Sequence, residues 1–326
     1  MSTNRTLDSR IQIIINPSAR SGRGQADLRR VLQREPDLRP TCVASESPQH
    51  FRALVRAAQD PRAGIAALGI AGGDGTVTLA LQALRDVEQT VPLCVLPTGS
   101  GNDFVNDLCG SRGLKAALTL LRTGQPRWVD VGEARTPAGD VQPFCCVASV
   151  GLDAVALRVI HGSRWPRSKA LNLYGALRGL WQYQPVTASI RWDGGAFVGP
   201  IAFCAVTNTR SYGGGFRVSP AARLDDGRLD LCIVPQQAKA ALLWRFPRIL
   251  TGTHGDIAGV VQAQTRRVHI APADPRQPLP LCLDGDLPIL GAPVELGLRP
   301  ARLLVLAPAA ATAAPQQNDA AKKEAA

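Results

Sequence analysis

Three apolar runs in the N-terminal third of the chain each end in a polar loop rich in Gly, Asn or Asp. "IQIII" breaks into "NPSARSGRG", "GIAALGIA" into "GGDGT", and "VPLCVLP" into "TGSGND". Helical spacing follows. "QADLRRVLQ" sets Leu28, Val31 and Leu32 on one face, a second helix runs from about Val77, and "GLKAALTLLRTG" makes a third with Gly124 as its C-cap. Between the first two loops come a strand, "PTCVAS", and the amphipathic helix "PQHFRALVRAAQD", with Phe51, Leu54, Val55 and Ala58 on one stripe. Strand and helix in alternation predict βα units on a mostly parallel sheet. Ligands on such sheets bind at the C-terminal strand ends, where all three loops fall.

After about Trp128 the pattern changes. "FCCVAS", "TASIRW", "GPIAFCAVTN", "RLDLCIV", "RRVHIA" and "ARLLVLA" are short strand candidates between turn signals such as Asp193-Gly194 and Asp226-Gly227. Helical stretches at 170–183 and 238–250 interrupt them. This half is expected to be a β-sandwich. The 326 residues fit about two domains. We divide them into an α/β domain at 10–133, a β-sandwich domain at 134–308 and a low-complexity tail at 309–326 that is expected to be disordered.

Lys and Arg number 37 against 26 Asp and Glu, a net charge of +11 that favours anionic partners. No dense Lys/Arg block accompanies it, so no nucleic-acid partner is expected. None of the eight cysteines forms a C-x-x-C pair, which suits a reduced, cytoplasmic setting. "MSTNRTLDSR" has no apolar signal core, and no apolar run reaches the roughly 18 residues that span a bilayer. The expectation is a cytoplasmic protein, soluble or peripheral to the inner face of the membrane.

The glycine loops suit phosphate. The Walker, Rossmann and protein-kinase signatures are all absent. In Gly72-Gly73-Asp74-Gly75-Thr76 the missing Cβ atoms allow close approach of backbone to phosphate oxygens, and the following helix adds free N–H groups. Gly99-Ser100-Gly101-Asn102 can act likewise, with Asn16 and Ser18 on a third side. Asp74 and Asp103 sit among these groups. A carboxylate there is unfavourable unless a divalent cation intervenes or a proton is moved. The other reading of each is an Asx-turn or helix N-cap. Two further acidic turns, Asp225-Asp226-Gly227 and Asp284-Gly285-Asp286, are strong turn signals in their own right.

The ordered series "IIINPSARSGRG", "GIAGGDGTVTLAL", "LPTGSGNDFVNDL", "VDVGEA", "FCCVASVGLDAVAL", "SPAARLDDGRLDLCIV" and "LCLDGDLP" closely resembles the diacylglycerol kinase catalytic family, in particular its bacterial soluble lipid kinases. Sphingosine and ceramide kinases are more distant relatives. GGDGT alone is shared with NAD kinases. GGDGT followed by P-T-G-[ST]-x-N-D-F and a late D-G-[ED] is far more specific. The resemblance implies a three-layer α/β nucleotide-binding domain, a C-terminal β-sandwich, and an active site in the cleft between them. It implies ATP as co-substrate against Asn16, Pro17, Ser18, the segment Gly72, Gly73, Asp74, Gly75, Thr76, Val77 and Thr78, and Ser100 and Asn102, with Ser45 as a further small polar contact. Asp74 and Asp103 match family carboxylates linked to a catalytic Mg2+. Asp226 matches the carboxylate of a separate structural Mg2+, with the backbone carbonyls of Arg223 and Arg228. Asp286 stands where the family has a glutamate general base, one methylene shorter. "TGSGND" departs from the bacterial "TGTAND" form toward that of sphingosine kinases.

The implied reaction is Mg2+-dependent transfer of the ATP γ-phosphate to a lipid hydroxyl, on diacylglycerol, a ceramide or sphingoid base, or a similar lipid. Two other readings stay open: a soluble small-molecule kinase of the NAD kinase type, and a relative impaired by the change at Asp286. Arg164, Arg167, Lys169 and Arg178 are interleaved with Trp165, Leu171, Tyr174, Leu177 and Trp181, and "ALLWRFPRIL" adds Trp244 and Phe246. That mixture suits adsorption to an anionic membrane. The same aromatics would also serve to pack helices on the sandwich.

Overall fold

The computed structural model describes residues 10–19, 23–165, 168–276, 279–287 and 293–309. The expected disordered tail beyond 309, Arg167 and the Lys169 side chain lie outside the described residues.

The first half follows the alternation: β1 (Ile11–Ile15), α1 (Arg23–Leu32), β2 (Thr41–Ala44), α2 (Pro48–Ala57), β3 (Ala67–Gly72), α3 (Asp74–Leu84), β4 (Leu93–Pro97), α4 (Asp103–Cys109) and α5 (Leu114–Thr123). β1 pairs in parallel with β2 and β3, and β3 with β4. β1, β3 and β4 are buried on both faces, and β2 is an exposed edge strand. Ile14, Leu68, Leu93 and Val95 pack with Phe51 and Val55 of α2 and with Val77 and Leu81 of α3. Their neighbours Ile13, Ile15, Cys94 and Leu96 pack with Leu28 of α1 and with Leu118 and Leu121 of α5. Two opposed helical layers enclose the sheet, which is the expected three-layer α/β arrangement. α2 starts where Ser47 accepts an N–H from His50 at 3.0 Å and Pro48 supplies a preset φ. α3 begins at Asp74, earlier than Val77, because Gly73 is an extended N-cap whose carbonyl accepts the Thr76 and Val77 N–H groups.

The second half comprises β5 (Gln125–Arg135), β6 (Val141–Phe144), β7 (Val147–Gly151), α6 (Leu152–His161), α7 (Lys169–Gln182), β8 (Val186–Trp192), β9 (Gly195–Thr207), β10 (Leu229–Pro235), α8 (Lys239–Thr251), β11 (Val261–Thr265), β12 (Arg267–Pro272), β13 (Leu281–Leu283) and β14 (Val294–Ala307). Its strands pair antiparallel around an apolar core that includes Phe144, Val150, Ile190, Ile201, Val206, Leu231, Ile270 and Leu296. β14 pairs antiparallel with β5 and touches β4 in parallel at Val305, so one strand belongs to both halves. No described helix is long and apolar enough to cross a membrane.

Two expectations change. "FCCVAS" is not one strand: β6 stops at Phe144 and β7 resumes at Val147. The N–H groups of Cys145, Cys146 and Val147 all turn to the Asp284 carboxylate instead of a strand ladder. "ARLLVLA" is the second part of β14, which begins at Val294 and shifts register between Arg299 and Leu303.

Candidate active site

The glycine loops after β3 and β4 interlock. The Gly72 carbonyl accepts N–H groups from Thr98 at 3.0 Å and Gly99 at 3.1 Å. A Cβ on Gly99 would lie 2.3 Å from the Gly73 Cα, so this contact excludes every side chain. Asn102, in the left-handed region at φ 59°, closes the turn from within: its Oδ1 accepts the Gly99 N–H at 3.1 Å and its Nδ2 donates to the Gly99 carbonyl at 2.9 Å. The first loop is tied on by Asn16, whose Nδ2 donates to Thr76 Oγ1 at 3.0 Å and whose Oδ1 accepts the Ser18 N–H at 3.1 Å. Pro17 lies between them in the same turn. The Ser45 hydroxyl is buried against the Ile15 carbonyl at 3.2 Å.

Several of these groups are therefore committed to the cradle itself. The Asn102 amide holds its own turn, and the Val77 side chain is in the core. What faces outward is the start of α3. Gly75 is exposed, and the Asp74 and Gly75 N–H groups have no acceptor among the described residues. The Ser100 hydroxyl likewise has no partner among them. Free N–H groups at a helix N-terminus beside a hydroxyl form an anion site.

Asp74 and Asp103 meet here. Asp74 Oδ1 accepts the Phe104 N–H at 3.0 Å, and its Oδ2 accepts the Asp103 N–H at 3.2 Å. It thus caps α4 as well as starting α3. No described cation pairs with Asp74, and its carboxyl is pushed up to about 6, by burial first and then by the neighbouring Asp103 charge, against the two N–H donors. Asp103 is buried and better compensated. Arg112 Nη2 donates to its Oδ1 at 2.6 Å, the Ser211 hydroxyl to the same oxygen at 3.1 Å, and the Gly214 N–H to Oδ2 at 2.7 Å. Nothing in the local sequence around Arg112 or Ser211 signals these contacts.

Thr78 joins the α/β half to the acidic turn of the sandwich half. Its hydroxyl donates to Asp284 Oδ2 at 2.6 Å. Asp284 also accepts the N–H groups of Cys145 at 2.7 Å, Cys146 at 2.8 Å and Val147 at 2.9 Å. Burial still holds its carboxyl above the ordinary range. Asp284 and Gly285, at φ 49° and 86°, form a two-residue turn closed by the Asp286 N–H on the Leu283 carbonyl at 2.9 Å. The Asp-Gly signal therefore marks a real hairpin, and its first residue is also the junction of the cleft. Asp286, just past the turn, is exposed, and its carboxylate has no partner among the described residues.

The Asp226 turn lies elsewhere. Asp226 Oδ1 accepts the Arg228 N–H at 3.0 Å, and its Oδ2 faces the Gln264 amide at 3.5 Å. The Arg223 guanidinium turns away to Asp225. Asp230 is pushed up to about 6 by burial and then by Asp226, and its Oδ2 is buried without a partner. Asp130, unassigned from sequence, accepts the Gly227 N–H and the Ala301 N–H, both at 2.8 Å, and so fastens this turn to β14.

Residues 10–134 match the diacylglycerol kinase catalytic domain, and residues 146–307 match the YegS C-terminal NAD kinase beta sandwich-like domain. A diacylglycerol kinase of Mycobacterium tuberculosis is 30% identical over 247 residues, covering 75% of this chain and 78% of the relative. A diacylglycerol kinase of Bacillus subtilis is 29% identical over 225 residues, 66% and 69% of the two chains. The crystal structure of a putative diacylglycerol kinase from Bacillus anthracis superposes with a TM-score of 0.71 at 20% identity, covering 92% of this chain and 97% of that one. Fold, ordered motifs and relatives agree: the chain belongs to the diacylglycerol kinase catalytic-domain family of lipid kinases.

Proposed function

We propose that the chain transfers the γ-phosphate of ATP to a lipid hydroxyl in an Mg2+-dependent reaction, with diacylglycerol the first candidate acceptor by analogy with its named relatives. The observation that supports this best is Asp74: a half-buried carboxylate with no described cation, beside Asp103 and the open N-terminus of α3. Hard oxygen donors short of positive charge fit Mg2+. Asp74 and Asp103 would hold it, and the ion would supply charge neutralisation for the phosphates. A second Mg2+, with a structural role, suits Asp226 and the carbonyls of Arg223 and Arg228, next to the unpartnered Asp230 oxygen.

The chain's own residues do the rest. The interlocked loops present the Asp74 and Gly75 N–H groups and the Ser100 hydroxyl to phosphate oxygens, with no reorganisation at the moment of transfer. The lipid oxygen attacks phosphorus, its proton passes to the Asp286 carboxylate, and ADP leaves. Asp284 fixes the turn that aims Asp286. The shorter side chain requires the hydroxyl to come within about 2.6–3.2 Å of it, or one bridging water.

The acceptor lies in a bilayer, and α7 and α8 fit that requirement. Trp165, Tyr174 and Leu177 are exposed, as are Trp181 at 79% and Trp244 at 85%, near Arg164, Arg178 and Arg245. We assign this face to peripheral adsorption on anionic lipid at the cytoplasmic side.

The test is incubation with labelled ATP, Mg2+ and a mixed lipid extract. One labelled lipid is expected, and none with Asp286→Ala or Asp74→Asn. Wild-type turnover by Asp74→Asn would sink the metal assignment, and nucleotide binding without transfer to any lipid would sink the enzyme reading. Vesicle binding indifferent to anionic lipid and to salt would sink the membrane assignment.

A further inference from the structure

Between β9 and β10 runs Ser211-Tyr212-Gly213-Gly214-Gly215-Phe216, a segment outside the phosphate loops. Its three glycines all have positive φ, 64°, 90° and 124°. Such a run has no side chains to stiffen it and loses much entropy on ordering. Its order must come from its anchors, and these reach four separate elements. The Ser211 hydroxyl and the Gly214 N–H bind Asp103. The Tyr212 hydroxyl donates to Asp153 Oδ2 at 2.5 Å, at the start of α6. Asn172 Nδ2, on α7, donates to the Gly213 carbonyl at 2.8 Å. The Phe216 ring meets Phe246 of α8 edge-on, 5.8 Å between centroids.

We propose that this loop positions Asp103, and that Tyr212 and Asn172 are the positioning residues that hold the loop. Two of the donors on the Asp103 carboxylate come from it, so the carboxylate points where the loop puts it. Two of its pins lie on the helices that carry the exposed tryptophans, which makes the geometry of Asp103 sensitive to how α7 and α8 are seated. The inference rests on the reading of Asp103 as a carboxylate of the Mg2+–ATP site.

Two near-isosteric substitutions in the full chain test it. Tyr212→Phe removes one hydroxyl, and Asn172→Asp replaces the donor with an acceptor. Amide hydrogen exchange is expected to speed up at 211–216 and at 103–109 in both variants, in the absence of nucleotide. Affinity for Mg2+ with a non-hydrolysable ATP analogue, read by calorimetry, should fall roughly tenfold, the scale of one hydrogen bond to a charged group. The KM for lipid should stay near wild type in both variants, and the thermal midpoint should stay near wild type in Asn172→Asp, which leaves no buried carboxylate unpartnered; Tyr212→Phe lowers the midpoint by taking the donor from Asp153. Unchanged exchange at 103–109 in both variants overturns the proposal, as does unchanged Mg2+–nucleotide affinity beside a wild type that binds. A wild type that binds no Mg2+–nucleotide overturns the kinase reading instead, and the exchange result then decides the loop by itself.

Discussion

Asp284→Asn isolates one junction of the two halves. The substitution keeps the turn, because Asn tolerates the φ of 49° that residue 284 adopts and Asn-Gly suits a two-residue hairpin. What it removes is an acceptor. The carboxylate now takes four donors: the Thr78 hydroxyl and the Cys145 N–H on Oδ2, and the Cys146 and Val147 N–H groups on Oδ1. The amide keeps one oxygen, so one pair of donors would face an NH2 group. Each buried donor left unsatisfied costs about 1–3 kcal/mol. Part of this is offset, because burial already disfavours the charged form of Asp284. The balance is a loss of about 3 kcal/mol, or a fall of about 5–10 °C in the thermal midpoint at this size. Thermal and urea unfolding followed by circular dichroism measure it. Turnover should fall as well, since Asp286 stands on the same turn. A midpoint within about 2 °C of wild type, with turnover intact, would refute the argument that Asp284 joins the halves.

Gly99→Ala must force the two glycine loops apart, since its Cβ would meet the Gly73 Cα at 2.3 Å. ATP affinity should drop at least about tenfold by calorimetry, in the way small misplacements of a binding cradle act. His254 is buried beside Cys232 and Gln262, near Arg248 and Asp256, and burial lowers its pKa below the ordinary 6.5. Above 6.5 both states are neutral. Below it the unfolded chain takes up the proton first, so stability falls with pH. The urea midpoint should therefore decline from pH 7 to 5, and His254→Gln should flatten that decline. Of the eight cysteines, Cys42 alone is exposed. An aromatic disulfide reagent should label one thiol quickly in the native protein, and Cys42→Ser should abolish that phase.

The features that sequence conveyed well are short in range. Alternating apolar runs and glycine loops report a parallel layer, because β1, β3 and β4 are buried on both faces and each loop must turn tightly at its end. Asp284-Gly285 reports a hairpin, because few residue pairs accept two positive φ angles. The misses are long in range. Cys145-Cys146 is apolar and has the look of mid-strand, yet its N–H groups serve a carboxylate 139 residues ahead of Cys145. No local pattern encodes that choice. Arg112, Ser211 and Gly214 become ligands of Asp103 only when separate elements converge.

Asp74 shows why two readings of one residue are physically compatible. A helix cap and a metal carboxylate are usually alternatives. Here the cap uses one N–H on each oxygen, while an ionised carboxylate offers about four lone-pair sites. Capping therefore leaves acceptor capacity and fixes the rotamer. The same burial that makes the cap rigid leaves the charge under-compensated, with Asp103 adding repulsion. A carboxylate that is rigid, half-buried and short of a counter-charge is preorganised for a divalent cation. A cation held between Asp74 and Asp103 would relieve the repulsion between them.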